Sequence, residues 1–283
     1  MSRIAYVSGR YLPHRQAAVH IEDRGYQFSD GVYEVVAVVN GRLIDEEPHF
    51  ARMHRSLSEL RIEPPIADAA LKIVMREVAR RNGVLSGIVY LQITRGVAPR
   101  DHAFPKSAKP VLVVTSRRSK PADPKLGRDG IAVITIPDIR WQRCDIKSVS
   151  LLPNVLGKQA AREAGAYEAW QVDHDGNVTE GTSTNAWIVT RDGEVVTRAC
   201  DHAILSGITR LALLDIIARE GLKLVERPFS VDEAKAAREA FLTSTTADVL
   251  PVVEIDGATV ANGKPGSLVT KLRDEYLAHT AAA

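Results

Sequence analysis

The chain has 283 residues, 45% of them hydrophobic and 25% charged, with 37 basic side chains against 35 acidic ones and a net charge of +2. That composition is typical of a soluble globular protein with room for roughly two domains of about 100–200 residues each. The charges are mixed along the chain, so there is no basic stripe for nucleic acid and no polybasic segment for a membrane surface.

The N-terminal Met1-Ser2-Arg3-Ile4-Ala5-Tyr6 lacks the apolar core of a signal peptide. The valine-rich stretch from Val32 to Val39 is read as a strand, because it runs into Asn40-Gly41, a strong hairpin signal, with Leu43 beyond the turn. From Pro48 the period changes: Phe50, Met53, Leu57 and Leu60 mark an amphipathic helix. A second helix starts near Ala67 with Ala70, Leu71, Val74, Met75 and Val78 on one stripe, and Asn82-Gly83 stops it. Strands follow at 88–94 and 111–115, and apolar runs such as Val111 to Val114 are far short of a membrane span.

Residues 119–128, with two prolines, a glycine and few apolar side chains, read as an interdomain linker between a domain of residues 1–118 and one of residues 129–283. The second part opens with a strand at 131–136, then a helix at about 154–164 and strands at 166–172 and 185–189. Asp192-Gly193 makes a hairpin turn before Val195, and Gly207 precedes a helix with Leu211, Leu214, Ile217 and Ala218 on one face. Residues 252–255 read as a strand ending at Asp256-Gly257, and the stretch from Ser267 is helical. The class is mixed α and β, without internal repeats. Cys144 and Cys200, the only cysteines, are too few for a disulfide framework and lack metal-ligand spacing, which fits a reducing cytosol.

Lys147, flanked by Ile146 and Val149, is the first chemical candidate, since a desolvated lysine attacks a carbonyl or carries a proton. Spacing alone does not separate it from a surface lysine; its competitor, Lys158, has Arg162 one turn later, as on a solvated face. Glu180 sits before glycine in what reads as a turn, followed by the donors Thr182, Ser183, Thr184 and Asn185, a set able to hold a carboxylate or phosphate. Ile208 and Thr209 open a helix, and a helix N-terminus offers bare N–H groups to an anion. Thr245 lies in a hydroxyl cluster, and Arg52 lies off its helix's apolar stripe, within reach of a phosphate. Ordinary capping and solvation account for these last features equally well. In the Gly/Pro-broken loop after Thr94, Arg100 and His102 can present guanidinium and imidazole to one small anion, or be incidental charge.

Taken in order, the segments Glu22 to Glu34, Thr94-Arg95-Gly96 through His102, Arg143-Cys144-Asp145-Ile146-Lys147-Ser148, Val178-Thr179-Glu180-Gly181, Ile204 to Arg210 and Thr243 to Thr246 span nearly the whole chain. They resemble the fold-type IV pyridoxal phosphate enzymes, and most closely the D-amino acid aminotransferase branch. The resemblance implies an α+β fold of two mixed domains with the cofactor site at their interface. It implies that Lys147 forms the Schiff base with pyridoxal 5'-phosphate and shuttles the proton, and that Glu180 pairs with the ring nitrogen. Arg52, Ile208, Thr209 and Thr245 match its phosphate-binding positions. Tyr33, Arg100 and His102 match its trap for the substrate α-carboxylate, the last two reaching in from the neighbouring subunit of a homodimer. Its substrates are amino acids and 2-oxo acids. The arginine–histidine pair argues against the branched-chain L-amino acid and (R)-amine branches, while an aminodeoxychorismate lyase stays open. One departure is Pro153, where smaller residues are common after the paired leucines.

Overall fold

The computed structural model describes residues 3–119 and 123–282, which divide into two compact units. The first holds residues 3–119 together with 146–150, and the second holds 123–145 and 151–282. Residues 120–122 of the expected linker lie outside the described residues. The next residues of that linker form a helix: Asp123 caps Lys125 N (3.0 Å) and starts α4 (Pro124–Asp129). The domain expectation also differs at one decisive place, since the five residues around Lys147 associate with the first unit.

In chain order the first unit contains β1 (Ile4–Val7), β2 (Arg10–Pro13), α1 (Arg24–Phe28), β3 (Gly31–Val39), β4 (Arg42–Leu43), α2 (Glu46–Glu59), α3 (Asp68–Arg81), β5 (Gly87–Thr94) and β6 (Val111–Arg118). Its strands form an antiparallel sheet in the order β2–β1–β6–β5–β3–β4. The period-2 alternation of β3 buries Val32, Glu34, Val36 and Val38, while Tyr33, Val35, Ala37 and Val39 stay half-buried on the other face. Phe50, Met53 and Leu57 of α2 and Leu71, Val74, Met75 and Val78 of α3 join the buried valines in one core. Ala70, expected on the α3 stripe, is exposed. Asn82 does more than end α3: its amide spans Ile4 N (2.7 Å), Ile4 O (2.8 Å) and Ser116 Oγ (2.9 Å), tying the helix end to β1 and β6.

The second unit continues with β7 (Ile131–Pro137), α5 (Leu152–Glu163), β8 (Glu168–Val172), β9 (Val178–Gly181), β10 (Asn185–Val189), β11 (Val195–Thr197), α6 (Ile208–Arg219), β12 (Leu224–Glu226), α7 (Val231–Ala236), β13 (Glu239–Ser244), β14 (Asp248–Ile255), β15 (Ala258–Thr259) and α8 (Ser267–Ala282). Its sheet runs β12–β11–β10–β13–β14–β7–β8–β9, mixed in direction, with parallel pairs at β11–β12, β14–β7 and β7–β8. Pro153 falls in the first turn of α5, where its missing N–H has no helical acceptor to lose. The α6 face differs from expectation: Leu213, Ile216 and Ile217 are buried, whereas Leu211 and Ala218 are exposed. The run Leu211-Ala212-Leu213-Leu214 is apolar nearly all round, so periodicity there does not choose a side. No helix among the described residues is long and apolar enough to cross a membrane.

Candidate active site

Lys147 has no regular element of its own, and neighbouring backbone fixes it. Tyr33 N donates to Lys147 O (3.0 Å), Lys147 N donates to Ser56 Oγ (3.1 Å) and Val149 N donates to Gly31 O (3.1 Å). Ile146 is buried in the first unit's core, which anchors the segment next to the lysine. The side chain stays half-buried, with Nζ 3.4 Å from Tyr33 Oη and 4.4 Å from the Tyr33 ring centroid. An amine over a phenol ring is held by the ring quadrupole as well as by the hydroxyl.

Beneath β3 a second set of groups is sealed from solvent. Glu34 accepts from Arg52 Nε (2.8 Å) and Nη2 (2.7 Å), and its Oε2 lies 2.7 Å from His49 Nδ1. His49, Arg52 and Ser56 recur at three and four residues, so they form a polar stripe beside the apolar one on α2. Burial by itself would raise the Glu34 carboxyl, but the charge and hydrogen bonds of Arg52, with His49, hold it at about 2. His49 moves the other way: burial lowers its pKa, the positive charges of Arg52 and Lys147 add to that, and the Glu34 bond only partly offsets them. Arg52, which lies off the apolar stripe as read from the sequence, is nonetheless buried, against a carboxylate that orients its fork.

Arg100 and His102 are exposed on their loop and meet on one platform. The Phe28 ring lies 4.5 Å from the Arg100 guanidinium and 5.4 Å from the His102 ring. Arg24 supports the same loop from behind, donating to Asp101 O (2.6 Å) and His102 O (3.4 Å) while its own guanidinium sits 4.7 Å over Phe28. Tyr33, the third expected member of the trap, carries its hydroxyl 3.4 Å from Lys147 Nζ.

In the second unit Glu180 is not in a turn. It lies on β9 and is buried, with Oε1 bonded to Arg140 Nη1 and Oε2 accepting from Asn185 Nδ2 (3.0 Å) and Leu205 N (3.1 Å). Arg140 is in turn held by Asp138 through Nε (2.9 Å) and Nη2 (2.7 Å). Burial works against the Arg140 charge, but the Asp138 bond and the negative charges of Glu180 and Asp138 raise its pKa above the ordinary arginine value. A fixed cation therefore keeps company with the Glu180 carboxylate.

Asn185 also links this carboxylate to α6. The same Nδ2 donates to Leu205 O (2.9 Å), and a Cβ at Gly207 would stand 2.1 Å from Asn185 Oδ1. Only glycine fits there, and no side chain caps the helix, so the N–H groups of Ile208 and Thr209 remain for an anion. The Thr209 hydroxyl is engaged with Tyr276 Oη (3.2 Å). Thr245 is half-buried in the turn joining β13 to β14. Two of the donors after Glu180 serve a different carboxylate: Thr182 Oγ1 (2.5 Å) and Ser183 Oγ (3.3 Å) bond to the buried Glu168. Lys158 is committed there too, donating to Tyr167 O (2.5 Å) and lying 3.5 Å from Glu168.

Each unit carries a donor set of its own. The first supplies an amine and an arginine; the second supplies a carboxylate beside a fixed cation and an uncapped helix N-terminus. These chemistries match the aldehyde, ring nitrogen and phosphate of the expected cofactor. Sequence reasoning missed Arg140, His49 and Glu34, which no motif announces; Asn185 stood in the donor run without an assigned task.

Residues 31–255 match the family model described as amino-transferase class IV. The chain is 43% identical to a D-alanine aminotransferase of Bacillus licheniformis over 279 residues, covering 97% of each protein. Among solved structures it is similar to a T.th. branched-chain amino acid aminotransferase with pyridoxamine 5'-phosphate, at 26% identity and TM-score 0.90, covering 100% of this chain and 96% of the other. The branched-chain enzyme of Escherichia coli shares the fold at TM-score 0.91 with 20% identity, covering 99% and 95% of the two chains.

Proposed function

The chain belongs to the amino-transferase class IV family, and on that basis we propose that it moves amino groups between D-amino acids, such as D-alanine and D-glutamate, and 2-oxo acids in two half-reactions, using pyridoxal 5'-phosphate. The D-amino acid assignment is supported by 43% identity to a D-alanine aminotransferase, against 26% and 20% to the two branched-chain enzymes. The observation that carries the choice of residue is the contrast between two lysines. Lys158 is committed to Tyr167 O and Glu168, whereas among the described residues the Lys147 amine hydrogen-bonds only to the Tyr33 hydroxyl and lies over that ring.

Bound pyridoxal phosphate supplies an electron sink for the charge left at the substrate α-carbon. Lys147 Nζ would hold the cofactor through its aldehyde carbon and would serve as the base for the substrate α-proton, a role worth roughly 10²–10⁴-fold. Tyr33 Oη orients that amine. Glu180 faces the ring nitrogen as its partner, and Arg140, Asn185 and the Leu205 N–H hold the carboxylate in place. The N–H groups of Ile208 and Thr209, the Thr245 hydroxyl and Arg52 take the phosphate. Tyr33, Arg100 and His102 bind the substrate α-carboxylate, the last two donated by the partner copy of a homodimer. The two free cysteines suit a cytoplasmic enzyme.

A panel of D- and L-amino acids with pyruvate and 2-oxoglutarate tests the reading. Turnover of D-alanine and D-glutamate with both acceptors is expected. Preference for L-leucine or L-valine overturns the D-assignment, and repeated turnover of aminodeoxychorismate without any amino acceptor identifies the lyase.

A further inference from the structure

Gln92 and Tyr90, on β5, have no part in the chemistry assigned above. Gln92 stands directly opposite Tyr33 in the β3–β5 ladder, and opposed residues on one sheet face bring their Cβ atoms to about 4.5–5.5 Å. Tyr90 stands opposite Val35 two residues along, and its ring stacks on Tyr33 at 5.7 Å between centroids, inclined by 29°. All three side chains are half-buried, on the face of the sheet opposite the apolar core. The two β5 residues are also bonded to each other, with Tyr90 Oη donating to Gln92 Oε1 at 2.7 Å.

That bond has a direction. Burial, with a smaller contribution from Tyr33, pushes the Tyr90 phenol up to about 12, so it is an O–H donor at any working pH. A donor at Tyr90 engages the amide oxygen of Gln92 and leaves the Nε2 group, with its two N–H bonds, as the end available to a ligand. Neighbouring Tyr33 touches Lys147 Nζ at 3.4 Å, so an amino acid whose nitrogen and α-carbon meet that amine extends its side chain over the same strand face.

We propose that Gln92, oriented by Tyr90, is a specificity-determining residue that reads a second, distal carboxylate and so favours five-carbon dicarboxylic substrates over alanine. The inference rests on the transamination reading and deepens it by naming the substrate side chain. Val35, Ala37 and Val39, the other half-buried positions on this face of β3, are apolar and supply no charge for that carboxylate. Its recognition by a neutral amide donor accordingly gives discrimination without excluding D-alanine.

The test compares half-reactions of the holoenzyme with D-glutamate and D-alanine in wild type, Gln92→Leu, Gln92→Glu and Tyr90→Phe. A hydrogen bond to a charged group is worth roughly 1.5–3 kcal/mol, a factor of about 10 to 100. Gln92→Leu is expected to lower the D-glutamate to D-alanine ratio of kcat/KM about tenfold, with the loss in KM for D-glutamate. Gln92→Glu lowers the ratio further by repulsion, and Tyr90→Phe lowers it less, since the amide loses only its orientation. Calorimetric titration with glutarate and butyrate, which do not react, gives the same discrimination without turnover. Equal weakening of both ligands, or an unchanged ratio in the folded variants, overturns the role of Gln92. If the wild type instead prefers L-substrates, the D-amino acid reading falls, while the glutarate titration still decides the present one.

Discussion

Arg140 and Glu180 form an ion pair in which both side chains are almost fully sealed from solvent, at 4% and 8% exposure. A buried pair of this kind matters less for stability than for what it fixes, because removing one partner strands the other's charge. Here the stranded group would be the carboxylate assigned to the ring nitrogen.

Arg140→Gln is therefore expected to retain bound cofactor yet slow single-turnover removal of the α-proton by about ten- to a hundredfold, the worth of a charge-assisted bond of roughly 1.5–3 kcal/mol. Glu180→Gln should do the same directly. In a double-mutant cycle Arg140→Gln should add little once Glu180→Gln is present, because it acts through that residue. Additive effects would show that Arg140 has an independent task.

Lys147→Ala is expected to abolish turnover together with the covalent adduct that borohydride fixes in the wild type, while Lys158→Ala keeps both. Peptide mapping of the reduced protein decides between them. An adduct on Lys158 would require that lysine to leave Tyr167 O and the buried Glu168, and would overturn the assignment.

Glu34 carries a pH dependence whose sign is fixed. Its carboxyl lies at about 2 when folded, against 4.5 for the free group, because Arg52 and His49 outweigh the effect of burial. A depressed folded value means stability that is fully present above about pH 4.5 and lost as pH falls from there through 2, on the order of 3 kcal/mol. Urea midpoints should show Glu34→Gln less stable than wild type at pH 7, with the gap closing below pH 4.5. A gap independent of pH would mean that the carboxylate is not what Arg52 needs.

Much of this was legible in the sequence because local pattern and burial agree. The valine alternation of β3, the Phe50–Met53–Leu57 stripe of α2 and the turn at Asn40-Gly41 all appear where periodicity and turn chemistry put them. The failures have physical causes. Helix α6 buries Leu213 rather than Leu211 because an almost uniformly apolar helix carries no directional signal. The polar stripe His49–Arg52–Ser56 reads as a solvated face, and only Glu34, distant in sequence, offsets the cost of its burial. Glu180 looks like a turn residue because its strand is short and polar, and Arg140, forty residues earlier, is what permits its burial. Lys147 is assigned to the first unit by bonds from Tyr33 and Ser56, contacts of long sequence separation that no window of residues contains.

The substrate trap gives the last expectation. Arg100 and His102 are exposed yet ordered by one ring, with Phe28 at 4.5 Å and 5.4 Å from them and Arg24 clamping the intervening carbonyl of Asp101 at 2.6 Å. Arg100→Ala removes a charged donor and is expected to raise KM for D-alanine and D-glutamate alike by about ten- to a hundredfold, since both share the α-carboxylate. Phe28→Leu keeps both donors but removes the platform, so it should raise KM by a smaller factor, because a cation–π contact at an exposed site is worth roughly 0.5–1 kcal/mol. Cofactor absorbance should be intact in both variants, which separates substrate capture from cofactor binding. Kinetics with both enantiomers complete the comparison: if Arg100 orients the carboxylate, its loss should also narrow the gap between D- and L-alanine, as a substrate bound without orientation reacts poorly from either hand. An Arg100→Ala enzyme with wild-type KM and undiminished D-preference would remove the loop from the trap and leave Tyr33 alone to hold the substrate.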